Sequence, residues 1–309
     1  MKLSFVISTQ PTKFQAVAFS SDFEANVAHL AALGYDGVEL AVREPAKLDV
    51  VGVKRVLAKH RLQVPALGTG QAYVEEHLSF TDPNAAVREQ AIARVQSHIA
   101  LARGFGVQSV IASEAKPCPE RSRRESPTRE LESVSSQKPF LAMTRTPLVI
   151  IGLVRGLVQP NVSPEQAHAW MLDAMKTIAH AASDRGVRLV IEPLNRYETN
   201  LLNTVAETLA LIDAIGVDNV GVLFDTFHAN IEEPRIEESL RACGARLFHV
   251  HVADSNRWAP GAGHVDFARV IATLREMKYD GWVSAEILPK PSIARAAEQT
   301  MKALLQVSE

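Results

Sequence analysis

Short runs dense in Val, Ile, Leu and Phe alternate along this chain with longer stretches whose apolar residues recur at helical spacing. The runs at 3–9, 37–43, 64–69, 187–194, 220–225, 247–253 and 282–287 are continuously apolar, the pattern of strands buried on both faces. Between them, amphipathic segments at 22–33, 47–60, 84–104, 164–184, 203–214, 235–243, 265–278 and 291–307 read as helices. Several of these meet a glycine just before the next strand, as in LGYDGVEL, FGVQSV and DRGVRL, which is a helix stop. Strict alternation predicts an α/β fold. Seven clear strands with eight helices predict a (β/α)8 barrel with one strand still to place.

The fourth strand falls where the pattern breaks. Its best position is 148–154 (LVIIGLV); the alternative is that Val110–Ile111 starts it and an insert interrupts it. The segment 114–146 is rich in proline, charge and serine and has no sustained apolar period, so it reads as a disordered or surface insert near strand four. It could be an inert loop, a lid or an oligomer contact. The whole chain, 1–309, is otherwise read as one barrel domain.

With 47% hydrophobic and 22% charged residues, the composition is that of an ordinary globular protein. A net charge of −2 leaves no basic footprint for nucleic acid. The N-terminal apolar run is too short for a signal peptide, and no stretch approaches the roughly 18 apolar residues of a membrane span. Cys118 and Cys243 lie far apart, so no disulfide framework is expected. These features predict a cytoplasmic protein.

Four stretches in the second half end a strand-like run on an acid or an imidazole: IEPLNRYE at Glu192, LFDTFHAN at Asp225, HVHVADSNRW at His251 and SAEI at Glu286. They are spaced by roughly 30 residues, the length of one strand-plus-helix unit, and so fall on strands five to eight. Catalytic groups in such barrels come from these strand ends. Folding gives no reason to gather three acids there, where they would repel and lose hydration. Oxygen-rich ligands with one imidazole suit a divalent cation such as Mn²⁺, Mg²⁺ or Co²⁺. Glu192, Asp225, His251 and Glu286 are the expected metal ligands.

Other groups lie near the same mouth. His228 could contact substrate or orient a ligand. Arg257 offers a cation to a developing oxyanion, and Glu198 could orient hydroxyls or sit in a surface ion pair. Arg155, closing IGLVRG, could meet a substrate carboxylate or a rim ion pair. GTGQAY brings Gln71 and Tyr73 near the mouth, and Trp258 could stack on a sugar or cover the rim. His249 is expected to face the helix layer and be structural. No glycine-rich phosphate cradle follows strands seven and eight, which favours a substrate without phosphate.

At these residues the chain resembles the sugar-phosphate isomerase/epimerase group of xylose isomerase-like TIM barrels, and within it the ketose 3-epimerases of the D-tagatose 3-epimerase kind. The signatures NRxE, DTFHxNIEE and HxHxxxxNR appear as NRYE, DTFHANIEE and HVHVADSNR, with Glu286 on the last strand. KLSFVIST, GTGQAY, IIGLVRG, IEPLNRYETN and HVADSNRWAPG are similar to the 5-keto-L-gluconate epimerase branch, which acts on hexuluronate-type acids. The resemblance covers nearly all of the chain except about 112–147, where the insert departs from the family pattern beside Arg155.

That resemblance implies that Glu192, Asp225, His251 and Glu286 hold the metal and that Glu198, His228 and Arg257 contact substrate. It implies an isomerase that epimerises C3 of a ketose or keto-sugar acid (5-keto-L-gluconate or D-tagaturonate type) through an enediolate. Glu192 and Glu286 would be the catalytic acid–base pair. The partner is then a small sugar, and a homo-oligomer is compatible with it. Three rivals share the barrel. One is an aldose–ketose isomerase. Another is an endonuclease IV-like abasic-site enzyme, which needs histidines after strands three and four that GTGQAY and IGLVRG lack. The third is a barrel silenced by its insert.

Overall fold

The computed structural model describes residues 1–17, 22–106 and 146–307. The segment 114–146 lies outside them apart from Thr146, as does the alternative strand start at Val110. Eight parallel strands close in sequence order into a barrel: β1 (Lys2–Ser8), β2 (Gly37–Ala41), β3 (Ala66–Gly68), β4 (Leu148–Ile151), β5 (Leu189–Ile191), β6 (Val220–Asp225), β7 (Leu247–Val252) and β8 (Trp282–Ala285). Ser4 of β1 lies beside Gly37 on one side and Ser284 on the other, which completes the cylinder. The fourth strand lies inside the expected 148–154.

The helices are α1 (Phe23–Ala32), α2 (Val50–His60), α3 (Gln71–Glu76), α4 (Ala85–Gly106), α5 (Pro164–Ser183), α6 (Val205–Ile215), α7 (Thr226–Glu232), α8 (Ile236–Cys243), α9 (Phe267–Glu276) and α10 (Ile293–Gln306). Side chains fix several starts: Asp49 caps α2, Ser163 caps α5 just before Pro164, and Thr204 with Glu207 forms a capping box on α6. The short α3 and α7 were not anticipated, because six or seven residues are too few to display a helical period. No helix among the described residues is long and apolar enough to cross a membrane.

Alternation along each strand sorts the side chains into two regions. Val38, Leu40, Leu189, Ile191, Val222, Phe224, Val250 and Val252 face outward and pack under the helices. Ala66, Leu148, Ile150, Val190 and Leu223 face inward and form a small inner core with Phe248 against it. By the same parity, Glu39, Asp225, His249, His251 and Ser284 point into the barrel. His249 is therefore not in the helix layer, contrary to the expectation from sequence. Residues two apart on a strand share a face, so it follows His251 inward. The apolar inner core fills one part of the barrel, and the acids and imidazoles gather at its C-terminal end.

Candidate active site

Asp225 is the last residue of β6 and the register partner of His251 on β7. A register shift between Val222 and Leu223 sets that alignment. One carboxylate oxygen of Asp225 caps α7, accepting from Phe227 N at 2.7 Å and His228 N at 3.4 Å. The other faces the barrel mouth. Glu192 follows β5 directly, and Pro193 behind it has no N–H to continue the ladder. Gly152, after β4, makes room for this acid, since a Cβ there would lie 2.9 Å from Glu192 Oε2. Glu286 follows β8.

These four side chains converge. Glu192, Asp225, His251 and Glu286 each offer one ligand atom, all within 4.8 Å of one another. His251 Nδ1 lies 3.5 Å from Glu192 Oε1, 3.8 Å from Asp225 Oδ2 and 4.0 Å from Glu286 Oε2. Glu192 Oε1, Asp225 Oδ2 and His251 Nδ1 are buried and have no hydrogen-bond partner. Buried polar atoms are normally paired. Three unpaired ones aimed at one point, with a third carboxylate beside them, fit the oxygen-rich shell of a divalent cation.

Burial and neighbouring charges raise all three carboxyls of the cluster. Burial raises the Glu192 carboxyl; His251 opposes this and the Glu286 charge adds to it. Burial, then the Glu192 charge, pushes Asp225 up to about 6. Burial also raises Glu286, against the pull of His251 and Arg257. Burial disfavours charge on His251, yet Glu39, Glu192 and Glu286 hold it well above its ordinary value. Acids raised toward neutrality in a cleft are common among catalytic groups.

His228 opens α7. Its Nδ1 accepts from the backbone N–H of Asn195 at 3.2 Å, so the ring proton sits on Nε2, 3.9 Å from Glu192 Oε1. Burial and the Arg257 charge hold the ring neutral. Arg257 donates to Glu198 at 2.6 Å and to Glu286 at 3.1 Å, and its guanidinium lies between the Phe14 and Phe227 rings. Its backbone takes φ of 60°, held by Arg257 N donating to Asp254 O and Leu288 N donating to Arg257 O. Gln71 donates to Ser8 Oγ at 2.6 Å and leaves its buried carbonyl oxygen unpaired on the cavity wall. Trp258 is on the exposed rim beneath Lys290.

Arg155 is placed differently from its sequence reading. Its side chain is fully buried, and its guanidinium donates to the carbonyls of Gly152, Glu192, Leu201 and Leu202 at 2.7–3.2 Å. All its donors point into backbone behind the site, so none remains for a substrate carboxylate or a rim ion pair. It fixes the loop after β5 from below.

Three contributors were not singled out from sequence. Asn195 bonds both Glu198 and His228. Phe14 reaches the cavity from the loop after β1, with no pattern to mark it. Glu39 is buried in β2 and accepts from His249 and His251. Burial would raise the Glu39 carboxyl, but the two imidazoles hold it well below the usual range. Its only signal was an acid in the middle of the apolar run GVELAVR. A cavity at the barrel mouth is lined by Glu39, Gln71, Glu192, Glu198, Arg257 and Glu286. Val6, Phe14, Val17 and Ile150 add apolar surface to its lining.

Known proteins share this fold. The family model described as xylose isomerase-like TIM barrel matches residues 27–306. An L-ribulose 3-epimerase of Methylomonas sp. (strain DH-1) is 29% identical over 277 residues, which is 88% of this chain and 82% of that protein. A D-psicose 3-epimerase of Agrobacterium fabrum is 41% identical over 115 residues, 37% of this chain and 40% of that protein. A crystal structure of D-allulose 3-epimerase from Methylomonas sp. in complex with D-allulose superimposes with a TM-score of 0.72. It covers 99% of this chain and 95% of that one at 23% identity, a likeness of fold. The chain belongs to the xylose isomerase-like TIM-barrel family, where its relatives are isomerases that epimerise sugars.

Proposed function

We propose that this protein epimerises an uncharged ketose at C3, the carbon beside the carbonyl. The observation that carries the reading is the pairing of Glu192 and Glu286, from β5 and β8, around the unpaired atoms of Asp225 and His251. Glu192, Asp225, His251 and Glu286 would together hold a divalent cation of the Mn²⁺, Mg²⁺ or Co²⁺ kind. Bound there, such an ion supplies Lewis acidity toward the sugar's carbonyl and hydroxyl oxygens.

The chain's own groups do the rest. One of the two glutamates takes the C3 proton, and the electron pair of the broken C–H bond passes into an enediolate. The other, in its protonated form, returns a proton to the opposite face of C3. The His228 Nε2–H and the Arg257 guanidinium would donate to the negative oxygen and steady it. Glu198, held by Arg257 and Asn195, and Gln71 would bond substrate hydroxyls.

A keto-sugar acid is served less well. Among the described residues lining the cavity, Arg257 is the sole cation; two of its nitrogens bond Glu198 and Glu286, and the proposed reaction takes the rest of its donors for the enediolate oxygen. With Arg155 turned to backbone, the described residues of the cavity wall offer no second cation to a carboxylate.

Proton NMR in D₂O tests the reading, with Mn²⁺ removed before detection and D-tagatose, D-fructose and D-tagaturonate tried separately. Deuterium at C3 with a new epimer of a neutral ketose is expected. A clear preference for the tagaturonate would overturn the uncharged substrate, and deuterium at C1 with aldose formation would make the protein an aldose–ketose isomerase. Undiminished exchange after chelation would remove the cation from the scheme.

A further inference from the structure

Beneath the four mouth residues lies a second layer of polar groups that the proposed reaction does not use. Glu39, at the middle of β2, extends its carboxylate across the barrel to β7. Its Oε2 lies 2.7 Å from His249 Nε2, and its two oxygens lie 3.0 and 3.2 Å from His251 Nε2. All three side chains are essentially inaccessible, at 0–1% exposure. The two rings meet edge to face, with centroids 5.2 Å apart.

An ionised carboxylate only accepts hydrogen bonds. Both Nε2 atoms must therefore carry protons. For neutral His251 that leaves the lone pair on Nδ1, the atom facing Glu192, Asp225 and Glu286. We propose that Glu39 is a positioning residue, which fixes the Nε2–H tautomer and the ring orientation of His251 so that Nδ1 is presented as a ligand. His249 shares the carboxylate and anchors it from the other side. Glu39, His249 and His251 are also close enough to be read as a second metal site. A cation there would need the Nε2 lone pairs, and both hydrogen bonds would have to break.

The inference rests on the cation site proposed above, and its test separates the two. Mn²⁺ is titrated by calorimetry into metal-free wild-type protein and into Glu39→Gln, with circular dichroism confirming that both are folded. The substitution removes the negative charge behind the rings and turns one of the two oxygens into an NH₂ donor, which cannot accept from an Nε2–H. The expected result is one ion per wild-type chain and roughly 10–100-fold weaker binding in the variant. Equal affinities would overturn the role of Glu39 while leaving the cation site intact. No binding by the wild type would overturn the cation site and this inference with it. A second ion lost only in the variant would make Glu39 a ligand instead. Should Glu39→Gln not fold, ¹⁵N NMR of the Zn²⁺-loaded wild type decides: a proton on His251 Nε2 with metal on Nδ1 is expected, and a ring bound through Nε2 refutes the proposal.

Discussion

Replacing Arg155 with methionine separates two roles for this residue, support of the backbone and contact with substrate. The guanidinium serves four buried carbonyls. Gly152 O keeps the Arg155 amide as donor, and Leu202 O keeps Leu194 N. Glu192 O and Leu201 O lose the donors that Arg155 supplies. An orphaned buried carbonyl costs about 1–3 kcal/mol, and methionine recovers part of the lost packing and is cheaper to bury. The net loss should be about 2–5 kcal/mol, a large share of a total stability of roughly 5–15 kcal/mol. Urea unfolding followed by circular dichroism reads it as a lower midpoint with little change in slope. Because Glu192 O is one of the freed groups, kcat should fall for neutral ketoses too. A variant as stable as the wild type, with KM raised only for an acidic sugar, would refute the reasoning and return Arg155 to the substrate.

Three further outcomes are expected. His228→Phe removes the neutral Nε2–H donor and should lower kcat by roughly 10²–10³ with a smaller change in KM, measured by steady-state kinetics; unchanged kcat would exclude the ring from oxyanion support. Asp225→Asn keeps an oxygen able to cap α7 but relieves the crowding of acids. The metal-free variant should match or exceed wild-type stability while losing Mn²⁺ binding, and a large destabilisation without metal would contradict this. Burial and Glu192 raise Asp225 to about 6, and Glu192 and Glu286 are raised as well. The folded metal-free protein thus holds these protons more tightly than the unfolded chain does. The stability they contribute is complete below about pH 4 and is lost as pH rises through about 6. A cation must displace the same protons. The gain in melting temperature from Mn²⁺ over chelator should grow between about pH 5 and about pH 8, and a flat or shrinking gain would count against the site.

The chain's own pattern determined the barrel and the elements that carry its mouth. Buried strands and amphipathic helices repeat with periods that survive in one dimension, so β5 to β8 and the helices between them could be read within a few residues. The four acids and imidazoles were legible for the same reason, since each ends a strand and the ends of parallel strands share one rim. What only the tertiary structure decided depends on contacts across the barrel. Glu39 meets His249 and His251 over more than 200 residues of sequence, and no local period encodes that meeting. His249 shares a strand face with His251 and so points into the barrel, not toward the helices. Arg155 was misassigned because a sequence records a charge but not the carbonyls that surround it. Phe14 stacks on Arg257 from a loop without periodicity. Local pattern sets which face a side chain takes, whereas its partner is set by which strands the closed barrel brings opposite one another.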